Sequence, residues 1–295
     1  MSLLLTLIAG PGAAGALTEL VAALASGLPL AGPPDWLAPG AACDLPLSGI
    51  TREAAEAAAR HGIGGAAIDV VAQPSAGRRK RVLVADLEAT IIENEMLDEL
   101  ADFIGRRSHV AEITRRAMNG ELDFAAALAE RVAMLKGLPA SVLDEAAQRI
   151  RLTPGARALV ATARANGVRT ALVSGGFTIF AERVAKQLGF ERVVANRLDV
   201  TSGLIAGTVR APIVTGATKR DTLFALAEEY AVSQSATLAV GDGANDLPML
   251  LAAGLGIAFR AKPAVAAAAR WRIDHADLTA LLYAQGYRED EIVGG

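Results

Sequence analysis

From residue 82 onward, short apolar runs alternate with helical stretches. The run 82–85 ends at Asp86, 169–173 ends at Ser174, and 237–240 ends at Gly241-Asp242; 255–258 is a fourth. Each is short, β-rich and followed by polar or Gly-rich residues. That is the pattern of buried strands in a parallel sheet with helices on both faces. Such sheets bind ligands beyond the carboxyl ends of their strands, so three of these ends mark where chemistry is expected. A long helical insert, 94–152, lies between the first two strands, with breaks near Asn119-Gly120 and Gly137-Leu138-Pro139. Above the strand ends it would form a cap. Residues 197–200 and 204–209 flank Thr201-Ser202-Gly203 and predict a β-hairpin.

Ahead of this region the pattern predicts a strand over 3–9, a helix over 15–26 and a Pro- and Gly-rich loop over 29–40. A strand over 42–47, a helix over 51–61 opening at Thr51 and a strand over 66–72 follow. That order, βαβαβ, is a small α/β unit. It ends in a turn-rich linker, Gln73-Pro74-Ser75-Ala76-Gly77, which divides the chain into 1–77 and 78–295. Arg78, Arg79, Lys80 and Arg81 follow and read as a solvated charge run at the boundary.

The sequence has 52% hydrophobic but only 4% aromatic residues, so its core is mostly Ala, Leu and Val, in a folded rather than disordered chain. A net charge of −3 gives no electrostatic reason to seek nucleic acid or anionic membrane. Cys43, the single cysteine, allows no internal disulfide and fits a reducing cytosol. The apolar stretch 1–28 has no Lys or Arg ahead of it and is broken by Gly10, Pro11 and Gly12. Neither a signal peptide nor a membrane span is expected. The resulting expectation is a soluble cytoplasmic protein with no nucleic-acid or membrane partner.

Four clusters carry candidate chemistry. Asp86-Leu87-Glu88-Ala89-Thr90 puts two carboxylates just past a strand end. One could attack phosphorus while the other protonates the leaving oxygen and then activates water; alone, the cluster is a polar loop. Ser174-Gly175-Gly176-Phe177 follows a strand and opens a helix, where backbone N–H groups and a hydroxyl make an anion site. Lys219 could supply the fixed cation that a phosphoryl transition state needs. Gly241-Asp242-Gly243-Ala244-Asn245-Asp246 offers hard oxygen ligands for Mg²⁺, and it lacks the Glu of an EF-hand loop. His61, His109 and His275 have no metal-ligand spacing, and Trp36 and Trp271 read as packing groups.

Taken together and in this order, the four clusters resemble the haloacid dehalogenase superfamily, and within it the phosphoserine phosphatase family. The resemblance spans about residues 82–282. It implies a Rossmann-like α/β core with a helical cap and a small N-terminal α/β unit. It makes Asp86 the nucleophile and a Mg²⁺ ligand, Glu88 a ligand through its carbonyl and the acid–base group through its side chain, and Asp242 and Asp246 the other metal-site carboxylates. Ser174, Gly175, Lys219 and Asn245 would hold the phosphoryl group. Glu95 and Arg131 match the residues that bind the substrate's amino and carboxylate groups, and Met118 and Phe124 match apolar walls. The implied substrate is a small phosphoamino acid, phosphoserine first. One departure stands out: Glu88 and Ala89 occupy positions where the family usually has Asp and Ser. A phosphatase or phosphotransferase for another small metabolite shares the motifs, and a degenerate regulatory homologue is a further alternative. The same Asp and Gly-Asp-Gly elements occur in cation-pumping ATPases, which the absence of membrane spans excludes. The N-terminal unit weakly resembles the regulatory units of some phosphoserine phosphatases and would bind an amino acid, form a homodimer or only stabilise the rest.

Overall fold

The computed structural model describes residues 3–294. Two sheets organise them. The first contains β1 (Leu3–Ala9), β2 (Asp35–Ala38), β3 (Ala42–Leu47) and β4 (Ile68–Pro74) in the order β2-β3-β1-β4, all antiparallel. Helices α1 (Ala14–Gly27) and α2 (Arg52–Ile63) complete a βαββαβ unit of ferredoxin-like topology. The expected βαβαβ order therefore missed a strand. β2 is a short edge strand inside the Pro- and Gly-rich loop, and its pairing with β3 is interrupted by a bulge. Thr51 caps α2 by accepting from the Ala54 N–H at 3.2 Å, as its position predicted.

Strand alternation sends Leu5, Leu7, Cys43, Leu45, Val70 and Ala72 to one face, under α1 and α2. The opposite face carries Thr6, Asp44, Asp69 and Gln73, all buried against the second part of the chain. The Asp69 carboxylate accepts the backbone N–H groups of Asp274, His275 and Ala276. Gln73 donates to the Ala284 carbonyl at 2.5 Å, and Trp271 donates its indole N–H to the Ala72 carbonyl at 2.8 Å.

The basic run is solvated only in part: Arg79 and Arg81 are exposed as expected, but Arg78 and Lys80 are drawn inward. Arg78 pairs with Asp44 and donates to Thr6 and to the carbonyls of Tyr283 and Ala284. Lys80 is buried and donates to the carbonyls of Gly77 and Ser235. These residues join the two units. Arg78→Ala would leave Asp44 buried and unpaired, so denaturant unfolding should show a stability loss of about 3 kcal/mol. A loss below roughly 1 kcal/mol, the range of exposed ion pairs, would contradict this.

The second sheet has seven strands in the order β11-β10-β9-β5-β6-β7-β8. They are β5 (Val82–Ala85), β6 (Arg169–Phe177), β7 (Arg192–Thr201), β8 (Leu204–Arg210), β9 (Thr237–Gly241), β10 (Leu255–Phe259) and β11 (Trp271–Ile273). All neighbours are parallel except the hairpin pair β7–β8. Leu83, Leu172, Leu238 and Ile257 point to one face, packed by α7 (Ala156–Ala165), α8 (Thr178–Leu188) and α12 (Ala280–Ala284). Val82, Val84, Val173 and Ala239 point to the other, covered by α9 (Gly216–Glu229), α10 (Leu247–Ala252) and α11 (Pro263–Ala268). Among the described residues no helix is long and apolar enough to cross a membrane.

The insert between β5 and β6 holds α3 (Met96–Asp102), α4 (Arg107–Met118), α5 (Phe124–Ala133) and α6 (Ser141–Ala147). Gly120 and Gly137 adopt positive φ at the two expected breaks. The insert leaves and returns through paired backbone, with Glu93 N–H bonded to Arg151 O and Thr153 N–H to Ile91 O. Its far side is tied to the hairpin, where Gly137 N–H meets Ile205 O and Ala140 N–H meets Gly203 O.

Glu99 anchors the insert's base. It accepts both guanidinium arms of Arg107 at 3.0 and 2.9 Å, Asn94 at 3.0 Å and Arg149 at 3.3 Å. Burial pushes its carboxyl up, but the Arg107 and Asn94 hydrogen bonds outweigh this and take it from 4.5 to about 2. A carboxyl lowered by folding stabilises above its unfolded value and loses that contribution as pH falls toward the folded one. Glu99→Gln should therefore lower the melting temperature at neutral pH and flatten the wild type's loss of stability between about pH 4.5 and 2. Superimposable acid profiles of the two proteins would sink the prediction.

Candidate active site

The carboxyl ends of β5, β6 and β9 converge beneath the insert. Asp86 follows β5 directly and donates its N–H to Val240 O at 3.0 Å, which pins it beside β9. The chain then turns sharply, with Ala89 at φ 51°. This turn brings the Asp86 and Glu88 side chains into one cleft.

Lys219, in the first turn of α9, lies fully buried below the cleft. Its ammonium donates to Asp86 Oδ1 at 2.6 Å and to Asp246 Oδ1 at 2.7 Å. Burial pulls this amine down, but the two carboxylates more than reverse that and raise it, so it stays charged. Lys219→Met would strand both acids, and a stability loss of roughly 3 kcal/mol is expected by denaturant unfolding. Retained wild-type stability would show that the acids do not depend on it.

Asp242 ends the β9 turn, and Asp246 folds back over Gly241. A Cβ on Gly241 would lie 2.3 Å from Asp246 Cγ, so only glycine allows the turn. Asp246 Oδ2 accepts the Gly243 N–H at 3.0 Å. Asp86, Asp242 and Asp246 each bring a carboxylate oxygen within 4.8 Å of the others. Asp242 Oδ2 is buried without a hydrogen bond, and Lys262 Nζ stands 3.3 Å away as its ion pair. Burial raises the Asp242 carboxyl to about 6, with Lys262 and Asp246 acting on it in opposite directions. Burial followed by the charge of Asp246 also raises Asp86, against Lys219. Such a cluster of buried, mutually repelling oxygens suits a hard cation.

Ser174 and Gly175 sit at a bulge where β6 pairs with β7. The buried Ser174 hydroxyl oxygen accepts the Gly176 N–H at 2.9 Å. Asn196 donates to Gly175 O at 2.7 Å and accepts from the Val214 N–H at 2.8 Å, holding the loop in place. Gly175, Gly176, Phe177 and Asn245 line the cleft; the buried Ser174, Lys219 and Asp246 do not.

The insert supplies the roof. Glu95, Met118, Phe124 and Arg131, the residues that the resemblance named, all line the cleft. Leu97 and Leu128 line it too and were not anticipated. Leu128 was findable, because Phe124, Leu128 and Arg131 recur at helical spacing on one face of α5. Leu97 had no such signal. A Cβ on Gly175 would lie 2.4 Å from Phe124 Cζ, so the roof rests directly on the Ser174–Gly176 loop. Glu95 is pushed well up by burial and by its neighbours Glu88 and Asp242. Glu88 is raised by burial against the Met96 N–H that it accepts at 2.9 Å.

Residues 83–251 match the haloacid dehalogenase-like hydrolase family. The chain is 44% identical over 203 residues to the phosphoserine phosphatase of Lactococcus lactis, covering 69% of this chain and 94% of that one. It is also 44% identical over 217 residues to phosphoserine phosphatase SerB2 of Mycobacterium tuberculosis, with 74% of this chain covered. The chain spans only about half of that relative's length, 53%. A HAD family hydrolase structure from Salmonella enterica serovar Typhi aligns over 99% of both chains, with a TM-score of 0.83 and 30% identity. A structure described as a phospho-aspartyl intermediate analogue of phosphoserine phosphatase aligns with a TM-score of 0.67 and 36% identity, over 70% of this chain and 98% of that one. The chain belongs to the haloacid dehalogenase-like hydrolases and, within them, to the phosphoserine phosphatase family.

Proposed function

We propose that the protein hydrolyses O-phospho-L-serine to L-serine and phosphate through a phosphoryl group carried on Asp86, with Mg²⁺ as cofactor. The observation that carries this reading is the cleft itself. Asp86 faces the same small space as Glu95 and Arg131, which the insert brings in opposite Glu88 and Asp242 of the core. That pairing of opposite charges matches an amino acid's ammonium and carboxylate.

Asp86 attacks phosphorus, and its new O–P bond forms as the bond to the serine oxygen breaks. Glu88 gives that oxygen its proton. Glu88, now a carboxylate, takes a proton from water, whose oxygen bonds to phosphorus as the Asp86–phosphorus bond breaks. Ser174, Gly175, Asn245 and Lys219 hold the phosphoryl oxygens, with Lys219 acting from behind Asp86. Asp86, Asp242, Asp246 and the Glu88 carbonyl would hold Mg²⁺. Bound there, the ion offsets the repulsion between Asp86 and a phosphate dianion. Asp242 Oδ2, buried with no hydrogen bond and only the Lys262 charge beside it, supports the fit.

This activity places the protein at the last step of serine biosynthesis, and a cytoplasmic setting accords with the lone buried Cys43. For the N-terminal unit we favour a stabilising role, because the catalytic part already buries one face of its sheet.

The test is phosphate release from L-phosphoserine with and without Mg²⁺, beside phosphothreonine, phosphoethanolamine and an aryl phosphate. Selective Mg²⁺-dependent release from phosphoserine is expected. Release from the aryl phosphate alone would move the substrate elsewhere, and no release at all would favour a regulatory homologue.

A further inference from the structure

Arg131 is aimed before any substrate arrives. Its Nε donates to Ala127 O at 2.9 Å, one turn back along α5. Its Nη1 donates to the Thr114 hydroxyl on α4 at 2.8 Å. Thr114 in turn stands 2.8 Å from Asp98 Oδ1 on α3 and 3.0 Å from Val110 O. A hydroxyl has one proton, and a carboxylate is the stronger acceptor. A guanidinium can only donate and an ionised carboxylate can only accept. The chain Arg131–Thr114–Asp98 therefore has one sensible direction. All three residues are buried, at 4%, 3% and 9% exposure. Among the described residues, no protein acceptor takes the remaining guanidinium N–H groups of Arg131.

We infer that Thr114 and Asp98 are positioning residues that hold the Arg131 fork toward the substrate's carboxylate and so set a preference for phosphomonoesters of α-amino acids. The inference rests on the proposed role of Arg131. Neither Thr114 nor Asp98 lines the cleft, so Asp98 supports the guanidinium's charge without competing for the ligand. Two other acids, Glu88 and Glu95, do line it and attract Arg131. Without the Thr114 anchor the guanidinium is free to swing onto either one, which would cancel the cation meant for substrate and occupy the acid–base group. Two-point carboxylate recognition depends on a fixed guanidinium plane, so the loss should fall on recognition.

The experiment compares kcat/KM for L-phosphoserine and phosphoethanolamine, which keeps the phosphate and ammonium but lacks the carboxylate. A general folding or catalytic defect lowers both and leaves their ratio unchanged. In Thr114→Val the preference for phosphoserine should fall about 10-fold, mainly through KM. Thr114→Ser, which keeps the hydroxyl, should stay within about threefold of wild type. If Thr114→Val is insoluble, Asp98→Asn carries the test, with a preference about threefold smaller expected; an unchanged preference overturns the inference. Arg131→Lys separates the two layers of the argument. If it loses the preference while Thr114→Val keeps it, the positioning role is wrong and the reading of Arg131 stands. If wild type has no preference, or Arg131→Lys retains it, the reading of Arg131 fails and the positioning role falls with it.

Discussion

Asp86→Asn should lower kcat for phosphoserine by about 10⁴-fold or more while leaving the protein folded. An amide is too poor a nucleophile to take the phosphoryl group, and removal of a covalent nucleophile costs effects of this order. The change is nearly isosteric, and Lys219 keeps its 2.7 Å partner Asp246, so no buried charge is left alone. That separation matters, because activity and structure respond differently. A variant within tenfold of wild-type turnover would remove Asp86 from the chemistry. A variant that fails to fold would show instead that its charge is needed by Lys219.

Glu88→Gln is expected to cost roughly 10²–10⁴-fold in kcat, the usual range for a general acid–base group. Glu88 is the chain's main departure from the family pattern, and the fold accommodates it in two ways. The Met96 N–H holds one carboxylate oxygen at 2.9 Å. Gly176 leaves room for the other, since a Cβ there would lie 2.5 Å from Glu88 Oε2. Glu88→Asp restores the family's usual residue but withdraws the carboxyl by more than an ångström from a site built around the longer side chain. Displacements near ~1 Å can cost about 10²-fold. The expected order of kcat is therefore wild type, then Asp, then Gln. Near wild-type turnover in the Gln variant would exclude Glu88 as the acid–base group, and an Asp variant faster than wild type would show that the fold has not adapted to Glu.

Much of this candidate site was legible in the sequence because its polar residues sit at strand ends. Short apolar runs that stop at Asp86, Ser174 and Gly241-Asp242 locate the edge of the sheet where the cleft lies without any knowledge of tertiary structure. The insert was legible through its glycine breaks, and its pocket residues Glu95, Met118, Phe124 and Arg131 through the family pattern. What escaped was what depends on distant approach. β2 lies among prolines and glycines and is a strand only because β3 offers it a ladder. Arg78 looks like one charge in a solvated run until Asp44 and the Tyr283 and Ala284 carbonyls surround it. Asn196, Thr114 and Asp98 touch none of the reacting groups, and no local pattern marks them. Each instead contacts, Asp98 through Thr114, a residue that the motifs or the family resemblance do mark.

The most direct measurement is a rapid acid quench of the enzyme mixed with phosphoryl-labelled L-phosphoserine, followed by peptide mapping of the precipitated protein. Mg²⁺-dependent label is expected on the peptide containing Asp86, acid-stable and lost on brief exposure to base or hydroxylamine, and absent from Asp86→Asn. Phosphate release at full rate with no label on that peptide, under conditions where attack outpaces hydrolysis, would contradict it.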